Sequence, residues 1–229
     1  MHEVTMPPHH QALSGGAVMS EYLSRPTIAP SFHLPPFTRD RLIEEMAACQ
    51  QTPTQSVLEH GRSVWSHFQQ LSDHLAHGTD LPPWWRVPAW AYSPGLLDHL
   101  PSMAILEEYT IYHDAGKVVT RAVDADGRHH FPDHAKATET LWLSVGGNPQ
   151  AARLMGMDMD AHLLKADGIH EFASRPEAPA LLLVALAEVH SNAAMFGGTN
   201  SDSFKIKAKH LEKRGRQVMA ICNQRIAPT

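Results

Sequence analysis

Ile111-Tyr112-His113-Asp114-Ala115-Gly116-Lys117 is the stretch from which the rest of the chain is read. His113 and Asp114 set an imidazole and a carboxylate side by side, a nitrogen and an oxygen donor suited to a catalytic metal. Gly116 ends the element that carries them, and Lys117 follows it, placed to meet an anion. The approach to the pair has helical periodicity: a helix is predicted over Met103 to Ala115, with Leu106, Tyr109 and His113 on one face. A His-Asp dipeptide alone is common. It gains weight because other helices of the chain supply the further ligands such a pair needs.

Working outward, the same periodicity recurs. Thr38 is placed to cap a helix from Asp40 to Cys49, striped by Leu42, Ile43 and Met46. Pro53 interrupts, and a second helix is expected from Thr54, its face reading Val57, His60, Val64, Phe68, Leu71 and Leu75 at spacings of three and four. Leu81 to Pro101 is rich in proline and carries Trp84, Trp85 and Trp90, a loop that packs over the core or walls a pocket. Asp124 to Pro132 reads as a polar loop with a turn at Asp126-Gly127. A helix begins near Pro132 and contains His134, Ala137 and Leu141. Gly146-Gly147-Asn148-Pro149 combines a helix stop, a cap and a proline at the first helical position. The helix it starts is expected to run to about Asp167 through Ala152, Met155, Met159 and His162, the methionines filling core. Ala178 to Met195 is almost wholly apolar and reads as a central buried helix, and a basic amphipathic helix over Ser203 to Ile221 follows. No alternating strand pattern of any length occurs, so the class is all-α. Residues 1–38, rich in Pro, Gly, Ser and His, read as an irregular N-terminal leader, partly disordered or wrapped on the surface, and residues 39–229 as a single helical domain.

Composition bounds the function. The 229 residues suffice for one sizeable core. No apolar run approaches the roughly 20 residues of a membrane span, and no basic segment leads into an apolar one as in a signal peptide. Cys49 and Cys222 lack metal-ligand spacing and read as free thiols, so a cytoplasmic location is expected. The net charge of −5 argues against nucleic-acid binding over the whole surface. There is no phosphate-binding Gly-x-x-x-x-Gly-Lys-Ser/Thr stretch, no Gly-x-Ser-x-Gly and no dinucleotide fingerprint.

Several helices place a metal-capable side chain on a core-directed face: His60 between Val57 and Val64, His113-Asp114 at a helix end, His162 one turn after Met159, Glu188 beside Leu181, Ala185 and Asn192, and His134 at a helix start. An isolated buried carboxylate is costly, so Glu188 must be paired with a cation, hydrogen-bonded or protonated. One divalent ion held by His60, His113, Asp114 and Glu188 would satisfy both acids, and His134 and His162 would suit a second. His67 and His74 follow His60 at seven-residue steps and compete with it; His170 competes with His162.

Leu58-Glu59-His60-Gly61, Tyr112 to Lys117, Phe131-Pro132-Asp133-His134 and Ala187-Glu188, in this order, resemble the motifs of the HD-domain metal-dependent phosphohydrolases. The resemblance spans roughly residues 54–215 and implies an HD-type helical bundle holding one or two divalent ions (Mn, Mg, Co, Ni or Fe). It implies His60, His113 and Asp114 as the first ligands and Glu188 as the last, where the family usually has Asp; Asp167 and Asp202 are the alternatives. His134 and His162 resemble the two-metal branch, which includes di-iron oxygenases, and Lys117 resembles a phosphate-contacting lysine of some members.

The implied activity is hydrolysis of a phosphomonoester, on a nucleotide or a nucleic-acid end, by a metal-activated water. Lys117 and Arg121 would neutralise the phosphate and Asp133 or Asp167 would shuttle the proton. The C-terminal helix, with Lys205, Lys207, Lys209, Lys213, Arg214 and Arg216, adds a basic patch from which Lys205 and Lys209 are expected to reach an anionic substrate. The alternatives are an HD-fold di-iron oxygenase and a non-catalytic module that binds a nucleotide or a partner. Homo-oligomerisation is open to the chain, and no membrane partner is expected.

Overall fold

The computed structural model describes residues 36–193 and 197–226. The expected leader over 1–38 lies outside the described residues as far as residue 35. Thr38 caps α1 (Arg39–Ala48) as its sequence position suggested, its hydroxyl accepting the Arg41 N–H at 3.2 Å. Around Pro53 the chain reverses through a small antiparallel pair, β1 (Gln50–Thr52) and β2 (Gln55–Ser56). α2 (Val57–His77) then starts three residues later than Thr54, because Ser56 and Glu59 form a reciprocal capping box. The Ser56 hydroxyl accepts the Glu59 N–H at 3.2 Å, and the Glu59 carboxylate accepts the Ser56 N–H at 2.8 Å.

After α2 come two short 3-10 turns, Ala89–Tyr92 and Leu97–His99, in the tryptophan-rich loop. Trp85 and Trp90 are buried there, and Trp84 remains exposed. α3 (Met103–Tyr112) ends earlier than Ala115; His113 to Gly116 form a turn, and α4 (Lys117–Thr120) follows. The expected polar loop from Asp124 forms the turn and second strand of a hairpin, β3 (Ala122–Val123) against β4 (His129–His130). Its turn is held by Asp124, whose Oδ1 accepts the N–H groups of Asp126 and Arg128. α5 (His134–Ser144) and α6 (Pro149–Gly156) are joined through Asn148, which accepts the Gln150 N–H at 2.8 Å with Pro149 at the first helical position.

The helix expected from Pro149 to Asp167 is two helices. It breaks at Met157 (φ −105°, ψ 4°), and α7 (Asp158–Leu163) follows. Gly156, a weak helix former, precedes the break, and just after it Asp158 is buried and accepts the Tyr109 hydroxyl at 2.7 Å. Of the three methionines, only Met155 is fully buried. α8 (Ile169–Ser174), α9 (Ala178–Ala193) and α10 (Asp202–Ile226) complete the all-α fold. Among the described residues no helix is long and apolar enough to cross a membrane.

α9 is buried along nearly its whole length and packs against α2, α7, α8 and α10. Each of Leu181, Leu182, Leu183 and Leu186 contributes about 1.5–3 kcal/mol by leaving water. α2 also crosses α3 so closely that a methyl group on Gly61 would lie 2.0 Å from the Ile111 carbonyl oxygen. A glycine next to His60 therefore sets the distance between α2, which carries His60, and α3, which ends just before His113.

His190, on α9, is buried with its ring stacked on Trp85 at 4.1 Å between centroids. Its Nδ1–H donates to the Leu186 carbonyl (2.8 Å) and its Nε2 accepts the Arg86 backbone N–H (3.0 Å), an arrangement only the neutral ring can make. Burial pushes its pKa down to about 4. Between pH 6.5 and 4 the unfolded chain takes up a proton that the folded one refuses, so stability falls as pH falls through this window, by about 3 kcal/mol for this group. Thermal unfolding from pH 7 to 4 should therefore show a shallower decline in His190→Gln than in the parent chain. Parallel slopes would remove His190 as the cause.

Candidate metal centre

Three helices and one turn bring these candidate ligands together. α2 delivers His60, the turn after α3 delivers His113 and Asp114, the first residue of α5 is His134, and α9 delivers Glu188. His60, His113 and Asp114 are buried, and their ligand atoms form one group compact enough to hold an ion; His113, Asp158 and Glu188 form a second. His60 Nε2 lies 3.8 Å from Asp114 Oδ2 and 3.8 Å from Glu188 Oε1, while His113 Nε2 is 3.3 Å from Asp114 Oδ2. His134 Nε2 approaches Asp114 Oδ1 at 3.4 Å.

Those separations are long for hydrogen bonds. They are near the roughly 3–4 Å expected between donors that share one ion at bond lengths of about 2.0–2.2 Å. The fit is strengthened by atoms left without partners: both ring nitrogens of His60 and the Nε2 of His113 are buried and make no hydrogen bond among the described residues. Each such atom costs about 1–3 kcal/mol unless something else satisfies it. The remaining ring nitrogens are spent on orientation. His113 Nδ1 donates to the Thr110 carbonyl at 2.8 Å, and His134 Nδ1 to the Phe131 carbonyl at 2.9 Å, so in the neutral rings each Nε2 would turn its lone pair to the site.

The charges are strongly interdependent. Burial alone would raise the Asp114 carboxyl, but Lys117, His113 and His60 hold it well below the usual range; Lys117 Nζ lies 2.6 Å from its Oδ2. Burial likewise opposes ionisation of Glu188, and His162, His60 and His113 overcome it. The His113 imidazolium is disfavoured by burial, yet Asp114, Asp158 and Glu188 lift its pKa to about 10. His162 is raised by Glu188 against its own burial, their side chains 2.8 Å apart. Asp158 is the acid whose carboxyl is raised, by burial and by Glu188, against the pull of His113. Such a concentration of carboxylates and imidazoles could hold a metal ion.

The competing residues are placed elsewhere. His67 donates to the Ser63 carbonyl and packs on Trp84 and Trp85, and His74 contacts the Thr79 carbonyl and the Tyr92 hydroxyl. His170, Asp167 and Asp202 are exposed and join neither group, whereas Glu188 belongs to one of them. Asp133 is exposed at the start of α5, in the left-handed region (φ 51°). Arg121 is exposed and directs its guanidinium to His129 at 2.8 Å. Lys117 is at the site, bonded to Asp114 and to Gln51 Oε1.

Lys205 and Lys209 do not line the cleft that opens on the cluster. That cleft, about 370 Å³, contains His162 and Glu188, and α10 contributes Ile206, Lys207, His210 and Leu211 to it. Lys207 is thus the basic residue of α10 at the mouth of the centre, close enough to oppose protonation of His162. Sequence reasoning also missed Asp158. Its signal was there, an acid between methionines four residues before His162, but a continuous helix gave no reason to single it out. No family model matches the chain, and no curated protein or solved structure is significantly similar to it.

Proposed function

We propose that the chain is a metal-dependent phosphohydrolase acting on a phosphomonoester, of a nucleotide or of a nucleic-acid end. The observation that carries this reading is the set of buried, partnerless imidazole nitrogens of His60 and His113 facing the carboxylates of Asp114 and Glu188. His60, His113, Asp114 and Glu188 would hold one divalent ion, and Asp158, His134 and His162 stand beside them for a second. The mixed imidazole and carboxylate donors suit Mn, Fe, Co or Ni better than Mg, which prefers oxygen alone. A bound ion would supply an activated water and a Lewis-acid contact to the phosphoryl group.

The protein's own contribution is orientation and charge. Thr110 and Phe131 fix the histidine tautomers through their carbonyls, and His162 and Asn192 fix the carboxylate of Glu188. Lys117 and Lys207 place ammonium groups at the site and at its mouth, where phosphate oxygens gather negative charge. The Tyr109 hydroxyl holds Asp158 inward.

Chelator-stripped protein reloaded with Mn, Fe, Co, Ni or Mg should release phosphate from members of a panel of nucleotides and phosphorylated oligonucleotides, and lose that activity again on chelation. Absence of release with every metal would overturn the hydrolase. The second donor group, His113, Asp158 and Glu188, supports a second reading on the same residues, a di-iron oxygenase. Iron-dependent oxygen uptake without phosphate release is the outcome it expects.

A further inference from the structure

α10 separates two clefts that share no residue. Ile206, Lys207, His210 and Leu211 face the metal centre. On the opposite side of the helix, Phe204, Lys205, Ala208, Lys209 and Glu212 line a larger cleft of about 660 Å³, closed by Leu186 of α9 and by the segment Arg86 to Ala89. Successive positions two residues apart lie about 200° apart on a helix, so Lys205 and Lys209 cannot turn to the side of Lys207 without unwinding it.

This second cleft is basic and prearranged. Arg86, Lys205 and Lys209 face Glu212 alone among acids. The Arg86 backbone N–H is bound to His190 Nε2, and one terminal nitrogen of its guanidinium donates to the carbonyls of Pro83 and Trp85, at 2.9 and 3.0 Å. That fixes the group while leaving further N–H donors of the same fork available. Lys205 is held only by an exposed contact with Asp202 at 3.6 Å, and Lys209 has no ion pair or hydrogen bond among the described residues. Two lysines four residues apart on one helical face repel each other by a few tenths of a kcal/mol. The repulsion becomes attraction when an anion sits between them. Beneath these cations the floor is apolar, from Leu186 and Phe204, both buried. The volume falls within the range of small-ligand sites.

We propose that this cleft is a binding site, separate from the metal centre, for a small phosphorylated molecule. Its phosphate meets Lys205, Lys209 and Arg86, and its less polar part rests on Phe204 and Leu186. The site does not depend on the phosphohydrolase reading, and its test is made without metal.

Pyrophosphate and ADP are titrated calorimetrically into the chelator-treated full chain, for the parent and for three variants. Binding is expected in the parent, tighter for ADP because pyrophosphate cannot use the apolar floor. The double variant Lys205→Glu/Lys209→Glu should weaken it at least about tenfold, since both side chains are exposed and their replacement alters charge and leaves the core intact. Lys207→Glu and Asp114→Ala, which alter the other side of α10 and the metal centre, should leave it unchanged. No binding by the parent, or a loss in Lys207→Glu or Asp114→Ala equal to that in the double variant, would overturn the proposal. Circular dichroism of each variant shows whether a loss reflects the cleft or the fold; the neutral pair Lys205→Gln/Lys209→Gln replaces the double variant if that does not fold, and Asp114→Asn replaces Asp114→Ala.

Discussion

Gly116→Ala is expected to lower the melting temperature by about 6–12 °C, corresponding to about 3 kcal/mol, and to displace His134 from the candidate metal centre. The backbone of Gly116 is ordinary (φ −62°, ψ −20°), so conformational freedom is not the reason for glycine here. Space is the reason. A methyl group would lie 2.2 Å from the His134 carbonyl oxygen and 2.6 Å from the Thr138 nitrogen, both backbone atoms that cannot swing aside. The same contact is a hydrogen-bonded joint: the Gly116 N–H donates to the Thr138 hydroxyl at 2.8 Å, which donates to the His134 carbonyl at 2.8 Å. Relief of the clash must move the start of α5, and with it His134, away from Asp114. Gly168→Ala provides the comparison, since the nearest atom to its added methyl is a leucine side-chain carbon at 3.5 Å; it should change stability by less than about 0.5 kcal/mol. Thermal unfolding of the two variants against the parent gives the answer. Equal melting temperatures would show that the α3–α5 joint yields freely.

The second large effect concerns Asp114. Asp114→Ala should reduce bound metal to background and any metal-dependent turnover by at least about 10³-fold. Three imidazoles and one ammonium converge on this carboxylate: Lys117 at 2.6 Å, His113 at 3.3 Å, His134 at 3.4 Å and His60 at 3.8 Å. Its removal leaves Lys117 without its charged partner in a largely buried position, a loss of about 3–5 kcal/mol where an ion pair is broken by deleting one member. Asp114→Asn separates the two consequences. The amide oxygen still accepts from Lys117, so most of the stability should return while metal binding stays impaired. Metal content measured by elemental analysis, beside unfolding curves of the metal-free proteins, distinguishes them. Full metal content in Asp114→Ala would exclude Asp114 as a ligand and remove the basis of the hydrolase reading.

Part of this molecule was legible in its sequence because the signals are local. Thr38, and Asn148 with Pro149, mark helix starts through hydrogen bonds that reach no further than three residues, whereas the Ser56–Glu59 capping box, equally local, went unread and the helix was expected from Thr54. The apolar spacing of Val57, Val64, Phe68 and Leu71 sets the buried face of α2 and places His60 on it. The almost unbroken apolar run of α9 announces a helix surrounded on all sides. The all-α class and the gathering of His60, His113, Asp114 and Glu188 as donor candidates followed from such patterns.

Tertiary structure decided what depends on the meeting of distant segments. His60, His67 and His74 share nearly one face of α2, and only the crossing of α2 with α3 and α9 selects His60 for the acids, giving the other two carbonyls, a hydroxyl and tryptophans as neighbours. Asp158 joined the cluster where the helix breaks at Met157, held there by the buried hydroxyl of Tyr109 from another helix. The basic character of α10 was plain from its composition, but its division between two clefts was not. A helix presents all its sides equally until its neighbours pack, and the seating of Leu211 and Phe204 in the core turned Lys207 toward the metal centre and Lys205 and Lys209 away from it.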